Sequence, residues 1–207
     1  MPQWLKKVIG GSDAEAPRPS EVPVDERALQ LVGLGDKMFT VEDYKGAEEA
    51  YNSALTLDSH CAAAWQRRGR SFSRSEKFTE AMACYVRALE LDPRLARAWL
   101  GLGEAILSYI KADQEPLYIR ENRPEILGEA LDGFHRALKY DAELTPARDG
   151  IEACKAMMGS VPPKLVNPRI FSFRSGGILE KAKREVVSPF LKPGDYRRKP
   201  IPTASND

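Results

Sequence analysis

The sequence predicts an all-α fold, a solenoid of antiparallel helix pairs with extended tails at both ends. The first observation is a period of 34 residues, which separates three pairs of like residues: Gly35 and Gly69, Ala47 and Ala81, and Tyr51 and Tyr85. The second is that apolar residues between these points recur every three or four positions, as they do on one face of a helix. Helical units that recur at a fixed period bury their apolar faces by stacking on one another.

Length and composition allow one ordinary domain with tails. The chain has 207 residues, of which 43% are hydrophobic and 29% charged, a normal balance for a protein that buries a core. The formal net charge of +1 argues against a nucleic-acid-binding protein that is basic on every face. The charge is uneven, because residues 159–207 carry a balance of +6 whereas residues 26–158 are near −4.

Cysteine usage and hydropathy bear on the compartment. The three cysteines are odd in number and widely spaced, which is not a disulfide framework. No run approaches the roughly 18 apolar residues of a membrane span. The start of the chain lacks the long apolar core and the cleavage site of a secretory signal. We therefore expect a cytoplasmic protein with an unprocessed N-terminus.

Residues 1–25 are predicted to be a tail and linker. They combine a short apolar and basic start, which includes Trp4, with three prolines that interrupt any helix. Two interpretations stay open. The segment is a disordered tail, or its apolar start docks on a partner, since one amphipathic turn is not stable alone in water.

The repeat domain is predicted to span residues 26–158. Its first repeat, about 28–61, and its second, about 62–95, each pair two helices whose apolar stripes face one another. Small alanines on these stripes let the two helices approach closely. The third repeat begins at about residue 96 with Trp99, Leu102 and Gly103 and resumes with Ala130, Phe134 and Ala137.

This pattern resembles the tetratricopeptide repeat, whose unit of about 34 residues has large apolar, Leu-Gly, aromatic and Ala positions and a closing Pro. The second repeat carries it at Trp65, Gly69, Ala81, Tyr85, Ala88 and Pro93. There are two departures: Ser59 stands where proline is usual, and Arg68 stands where leucine is usual. The resemblance covers about residues 27–141 and implies three repeats.

The third repeat, about 96–144, contains 15 extra residues, because Ala81 and Ala130 are 49 positions apart. This insertion is placed near 110–126, with a loop near Pro116–Pro124. It is a tolerated surface loop, or else a contact element. The second interpretation depends on Leu117 and Tyr118, which are apolar where a plain loop is polar.

The C-terminal part of the chain divides into two segments with different predicted structures. Residues 145–158 are predicted to form a capping helix, which a solenoid needs to cover its last apolar edge. Residues 159–207 are predicted to be a Pro-rich basic tail with a short helix near 177–187. The tail contains four aromatic residues: Phe171, Phe173, Phe190 and Tyr196. Its proline content suits disorder, whereas its aromatic residues suit a strap along a folded surface.

Chemistry-bearing motifs are scarce. Gly33–Gly35 and Gly101–Gly103 fall on repeat positions and do not precede Lys-Ser or Lys-Thr, so they are not phosphate loops. His60, Cys61 and His135 lack a second ligand pair at metal spacing. The sequence therefore predicts no catalytic, metal-binding or cofactor-binding residues, no small-molecule substrate and no enzyme.

The resemblance implies a concave groove lined by the first helix of each repeat. Carried onto this chain, it gives a groove that is apolar at one end and basic in the middle, and its predicted partner-binding residues are Val32, Asp36, Phe39, Gln66, Arg67, Arg70, Arg74, Arg97 and Glu104. Arginine forks suit carboxylates; the alternative is that these are solvated charges on helix faces.

One subtype of the family, the co-chaperones that hold a heat-shock protein's C-terminal carboxylate, uses a Lys/Asn clamp. Val32 and Asp36 stand at the first-repeat clamp positions of this chain, and only Arg97 of the third repeat fits. The resemblance therefore does not extend to that clamp.

These observations favour a non-catalytic adaptor or an accessory subunit of a larger complex. A protein partner would place a peptide or helix in the groove, and the insertion and tails would take a larger surface. The alternative is a transient assembly or regulatory factor, similar to a chaperone. Binding of nucleic acid or a membrane surface through the basic tail is a third hypothesis, disfavoured because its basic residues are sparse. A tail that occupies its own groove is a further possibility.

Overall fold

The computed structural model describes residues 25–112, 123–159 and 186–190. Over these ranges the chain forms helices and no strand, which confirms the all-α prediction. The helices are α1 (Glu26–Thr40), α2 (Tyr44–Leu57), α3 (Ala62–Arg74), α4 (Phe78–Leu91), α5 (Ala96–Lys111), α6 (Arg123–Tyr140) and α7 (Thr145–Gly159), and Ser188–Phe190 form one 3₁₀ turn.

A glycine facing an aromatic ring sets the distance between the two helices of each pair. A Cβ atom on Gly35 would lie 2.5 Å from a ring carbon of Tyr51. The second and third pairs repeat this arrangement, with Gly69 against Tyr85 and Gly103 against Phe134. No larger residue fits unless the ring moves, so close packing of each pair is the physical reason for the glycine in the sequence period.

The helix pairs stack into a curved array. Each helix packs on the next, and the first helices α1, α3, α5 and α7 also touch one another in succession. The second helices α2, α4 and α6 make little or no contact with each other. The array is therefore tighter on the side of the first helices, which form its inner layer, and more open on the side of the second helices.

The turns inside the first two pairs share one backbone conformation. Glu42 and Glu76, one period apart, both adopt positive φ, at 62° and 59°. The connections between pairs share a hydrogen bond from a tryptophan indole. The N–H of Trp65 donates to the Ser59 carbonyl at 2.9 Å, and that of Trp99 donates to the Pro93 carbonyl at 2.8 Å. The periodic sequence thus produces periodic loops as well as periodic helices.

The helices of the third pair run into both ends of the predicted insertion. Helix α5 continues to Lys111 and α6 already begins at Arg123, so Pro124 lies in the first helical turn and not in the expected loop. Proline is accepted there because the first N–H groups of a helix have no intrahelical partner. Residues 113–122, with Leu117 and Tyr118, lie outside the described part of the chain.

Helix α7, the predicted capping helix, packs as a fourth inner helix. Gly150 of α7 meets the ring of Phe134, just as Gly101 of α5 meets Tyr85 of the preceding pair. Its buried side includes Ile151 and Cys154. The hydrophobic core therefore runs through all seven helices and ends against α7.

The described part of the C-terminal tail, residues 186–190, joins the same core. Val186 and Val187 are each 6% exposed, and Phe190 packs against the core cluster. The predicted short helix near 177–187 lies almost wholly outside the described residues. None of the described helices has the length and apolar character required to cross a bilayer.

Candidate functional site

The inner face of the array contains the side chains that the sequence predicts to line the groove. Val32 and Gln66 are buried between helices, at 5% and 8% exposure. Asp36, Phe39, Arg67 and Arg70 are half-buried, whereas Arg74, Arg97 and Glu104 are exposed. The buried members belong more to the core than to the free surface, so contact with a partner would fall on the others.

Asp36 is the centre of a charged cluster between α1 and α3, which we call the Asp36 cluster: Asp36, Phe39, Tyr51, Arg67 and Arg70. Arg67 Nη1 lies 3.1 Å from Asp36 Oδ2, and Arg70 Nη2 lies 3.7 Å from Asp36 Oδ1. The guanidinium of Arg70 also stands over the Phe39 ring, 3.9 Å from its centroid. Two of the groove's predicted cations are thus already held by groups of this chain.

Tyr51 ties the Asp36 cluster to the frame of the first helix pair. Its hydroxyl donates a 2.8 Å hydrogen bond to Asp36 Oδ1, while its ring faces Gly35. Burial, reinforced by the hydrogen bond and charge of Asp36, raises the pKa of Tyr51 well above its usual range. The hydroxyl therefore remains a proton donor and keeps the carboxylate of Asp36 in position.

Farther along the inner face, Arg74 and Arg97 have exposed side chains that form no ion pair or hydrogen bond with the described residues. Glu104 of α5 lies within the electrostatic influence of Arg74. Desolvation raises the pKa of Glu104, although its surface is exposed, and Arg74 partly opposes that rise. The inner face thus changes from paired charges at the Asp36 cluster to unpaired arginines near α5.

The sequence-predicted contact residues of the insertion and tails separate into two groups. Phe190 lies within the described residues, on Trp65 of its own chain, at 5.5 Å between ring centroids and nearly edge to face. The remaining members lie outside them: Trp4, Leu117, Tyr118, Phe171, Phe173 and Tyr196.

The side of α3 that faces away from the groove forms a second constellation, which sequence reasoning did not assign to recognition. Arg68 is only 5% exposed, and its Nη1 donates a 2.8 Å hydrogen bond to the carbonyl of Val186. The guanidinium also lies near the rings of Trp65, Phe72 and Phe190, at 4.9 to 5.7 Å from their centroids. The available signal was an arginine at a leucine position of a buried stripe.

Burial also raises the pKa values of the three cysteine thiols. Desolvation raises the pKa of Cys84 to about 12 and that of Cys154 to about 11, and it raises the pKa of Cys61 as well. Nucleophilic and metal-binding cysteines need the thiolate, which burial disfavours. Within the described ranges, no group of three or more His, Cys, Asp or Glu side chains could hold a metal ion.

Comparison with known proteins agrees with this architecture. A family model for the tetratricopeptide repeat matches residues 69–108. The chain is 25% identical over 141 residues to a small glutamine-rich tetratricopeptide repeat-containing protein 2 of Mycosarcoma maydis. That match covers 67% of this chain but only 36% of the relative, so the chain spans little more than a third of the relative's length.

Two solved structures have the same fold. The first tetratricopeptide domain of Spaghetti (RPAP3), bound to the HSP90 peptide SRMEEVD, superposes with a TM-score of 0.57 at 21% identity and covers 67% of this chain and 99% of that one. The Sgt2 domain from Aspergillus fumigatus superposes with a TM-score of 0.55 at 16% identity, covering 72% and 95%.

The glycine–aromatic frame recurs in three helix pairs, α7 follows them, and the family model falls on the second and third pairs. The described helices therefore have the tetratricopeptide-repeat fold, with three helix pairs followed by α7.

Proposed function

We propose that this protein is a non-catalytic adaptor or accessory subunit that binds an acidic segment of a partner protein on the inner face of its repeats. Tetratricopeptide repeats are typically protein-binding folds and not catalytic ones. Their stacked helices offer a long rigid surface and need no reactive group.

The observation that carries the proposal is the pair of exposed arginines on the inner face, Arg74 and Arg97. They come from adjacent first helices, and no carboxylate of the described residues pairs with them. Guanidinium groups bind carboxylates through parallel hydrogen bonds. Since Asp36 already holds Arg67 and Arg70, Arg74 and Arg97 are the two of the four predicted groove arginines that remain available to a negatively charged partner.

The solved relative supports the same chemistry, since the peptide bound to the first domain of Spaghetti (RPAP3), SRMEEVD, is acidic. In this chain Val32 and Asp36 stand at the first-repeat clamp positions, and Asp36 repels a carboxylate placed beside it. We therefore place the recognition of acidic groups toward α5, away from the Asp36 cluster.

The experiment compares partner capture by the full-length protein and by the charge-reversed variant Arg74→Glu/Arg97→Glu. We expect the wild type to retain a stoichiometric protein partner at physiological salt and the variant to lose it. Bound proteins would be identified by mass spectrometry. Binding of a fluorescein-labelled SRMEEVD peptide would provide a quantitative probe, with an expected affinity loss of at least about tenfold.

The matched control is Lys45→Glu/Arg94→Glu, which reverses the same number of charges at one exposed residue of α2 and one in the turn before α5. This control should keep both the partner and the peptide. Equal binding by wild type and both variants would contradict the proposal. So would the reproducible absence of any stoichiometric protein partner from the wild type.

A transient assembly or regulatory factor is the second candidate, favoured by the same exposure of Arg74 and Arg97. Exposed charges are screened within about 8 Å at physiological ionic strength, so binding that depends on them is weak and salt-sensitive. Capture that disappears between low and high salt would favour this candidate. Capture that survives high salt would favour a permanent subunit.

A further inference from the structure

The pocket on the outer side of α3 is defined by Trp65, Arg68 and Phe72, and we call it the outer pocket. These residues are spaced at i, i+3 and i+7, which places them on one stripe of the helix. Arg70 and Arg74, on the inner face, belong to the opposite side of the same helix. The outer pocket is thus separate from the groove and from the proposed function of the groove.

The repeat itself does not require an arginine here. One period earlier and one period later the same position is Leu34 and Leu102, so the frame accepts an uncharged side chain. Leu34 is 44% exposed on its own helix, whereas Leu102 and Arg68 are each 5% exposed. At Arg68, part of the cover comes from residues 186–190, because Val186 and Phe190 contact its guanidinium.

The contacts between this segment and the outer pocket are those of a ligand and its site. Arg68 donates its hydrogen bond to the main-chain carbonyl of Val186, and Phe190, four residues on, covers Arg68 and packs on Trp65. Val186 and Val187 supply the buried apolar surface. A bound segment therefore needs an aliphatic pair, a turn such as the one at Ser188–Phe190, and an aromatic ring.

Arg68 has no acidic partner of its own. It forms no ion pair with the described residues; its nearest acidic influence is Glu48, which is itself paired with Lys77, and Cys84 faces it from α4. Its Nε is buried without a hydrogen-bond acceptor. A buried arginine that is only partly satisfied costs stability compared with a leucine, so it suits recognition better than folding.

We propose that the outer pocket is a second peptide-binding site, whose ligand is a Val-Val-x-Pro-Phe segment that ends in a 3₁₀ turn, and that the chain's own Val186–Phe190 fills it in competition with a partner segment of the same chemistry. Residues 160–185 lie between α7 and this segment in the sequence. Release of Val186–Phe190 therefore leaves every hydrogen bond of the seven helices in place, and the pocket can exchange one segment for another.

The test uses full-length protein and a fluorescein-labelled peptide with the sequence of residues 184–192, followed by fluorescence anisotropy. The variant Phe190→Ala weakens the internal competitor. A tethered segment acts at an effective concentration of the order of millimolar, so we expect Phe190→Ala to bind the peptide about tenfold more tightly than the wild type.

Two further variants in the Phe190→Ala background identify the site. Arg68→Leu restores the residue usual in the repeat and removes the donor to the carbonyl, so binding should fall at least about tenfold. Arg74→Leu removes the same charge from the inner face of the same helix, so binding should be unchanged. Thermal unfolding of each variant would show that the array remains folded.

Three results would overturn the proposal. The first is no binding of the peptide to the Phe190→Ala protein at millimolar concentration, which would make residues 186–190 a fixed part of the fold. The second is equal binding with and without Arg68→Leu. The third is a loss of binding with Arg74→Leu, which would place the peptide in the groove.

Discussion

Arginine residues on the two sides of α3 differ in their exposure and in their partners. On the inner side, Arg67 and Arg70 reach Asp36 and remain about one-third exposed, and Arg74 is exposed with no partner in the described structure. On the outer side, Arg68 is buried among aromatic rings and donates to a neutral carbonyl. Within one helix, therefore, the surroundings of an arginine decide its role.

The inner side of α3 is therefore hydrated, whereas its outer side is shielded from water. On the inner face, Arg74 remains hydrated and available to a charged partner, at the cost of screening by salt. The charge on the outer face is desolvated, so it contributes through geometry and through what covers it. Four measurements test this contrast.

The exclusion of water from the surroundings of Arg68 can be tested through the reactivity of the Cys84 thiol. Burial raises the pKa of its thiol from 9.0 to about 12, although the nearby charge of Arg68 opposes the rise. Near neutral pH this lowers the thiolate population on the order of a thousandfold, and the thiolate is the reactive form. We expect the native protein to resist a disulfide reagent such as DTNB at pH 8.

The control is the same protein in guanidinium chloride, where Cys61, Cys84 and Cys154 should all react quickly. Rapid reaction of Cys84 in the native protein would mean that solvent reaches the outer side of the array and would contradict the contrast.

Truncating the outer side should destabilise the fold far more than truncating the inner side. Trp65 is fully buried and contacts Phe190, so Trp65→Ala should cost about 3–5 kcal/mol of the free energy of unfolding. Leu29→Ala removes a side chain that is 48% exposed on the groove side of α1 and should cost less than about 1 kcal/mol. Urea unfolding measures both, and similar losses would contradict the contrast.

Two glycines of α1, only two positions apart, allow the effect of a substitution at a packed position to be compared with that at an open one. A Cβ on Gly35 would meet the buried ring of Tyr51, whereas a Cβ on Gly33 would meet nothing within 4 Å. Gly35→Ala should therefore destabilise the protein by about 1–3 kcal/mol. Gly33→Ala should stabilise it by about 0.5–1 kcal/mol, because alanine has the higher helix propensity. Thermal unfolding would report a sign change, and the same sign for both would refute the interpretation.

The smallest effect is expected in the turn after α3. Glu76 has a φ of 59°, a conformation that disfavours residues with a Cβ. Glu76→Gly should raise the free energy of unfolding by up to about 1 kcal/mol. Ser75→Gly, at a φ of −89°, should lower it by about the same amount. Equal changes in chemical denaturation would show that this turn is not strained.

The fold followed from the sequence because the frame is periodic. Gly35, Gly69 and Gly103 each face the ring that the pattern places opposite them, so spacing alone was enough to predict the pairs. The groove was less predictable, since the pairing of Arg67 and Arg70 with Asp36 depends on distances between helices. The outer pocket was not predicted at all, because it joins Arg68 to Val186, 118 positions away, and no short-range pattern encodes that contact.

The aromatic rings of the frame also bear on how the array comes apart. Tyr85 lies against Gly69 of its own pair and Gly101 of the next, and Phe134 likewise joins Gly103 to Gly150. Each of these rings couples neighbouring units, so the units should unfold together. At the corresponding place in α3 stands Arg67, which forms an ion pair with the half-buried carboxylate of Asp36 instead of receiving an aromatic ring. The N-terminal pair is therefore the least cooperative unit, and its amide hydrogens should be the first to exchange with solvent.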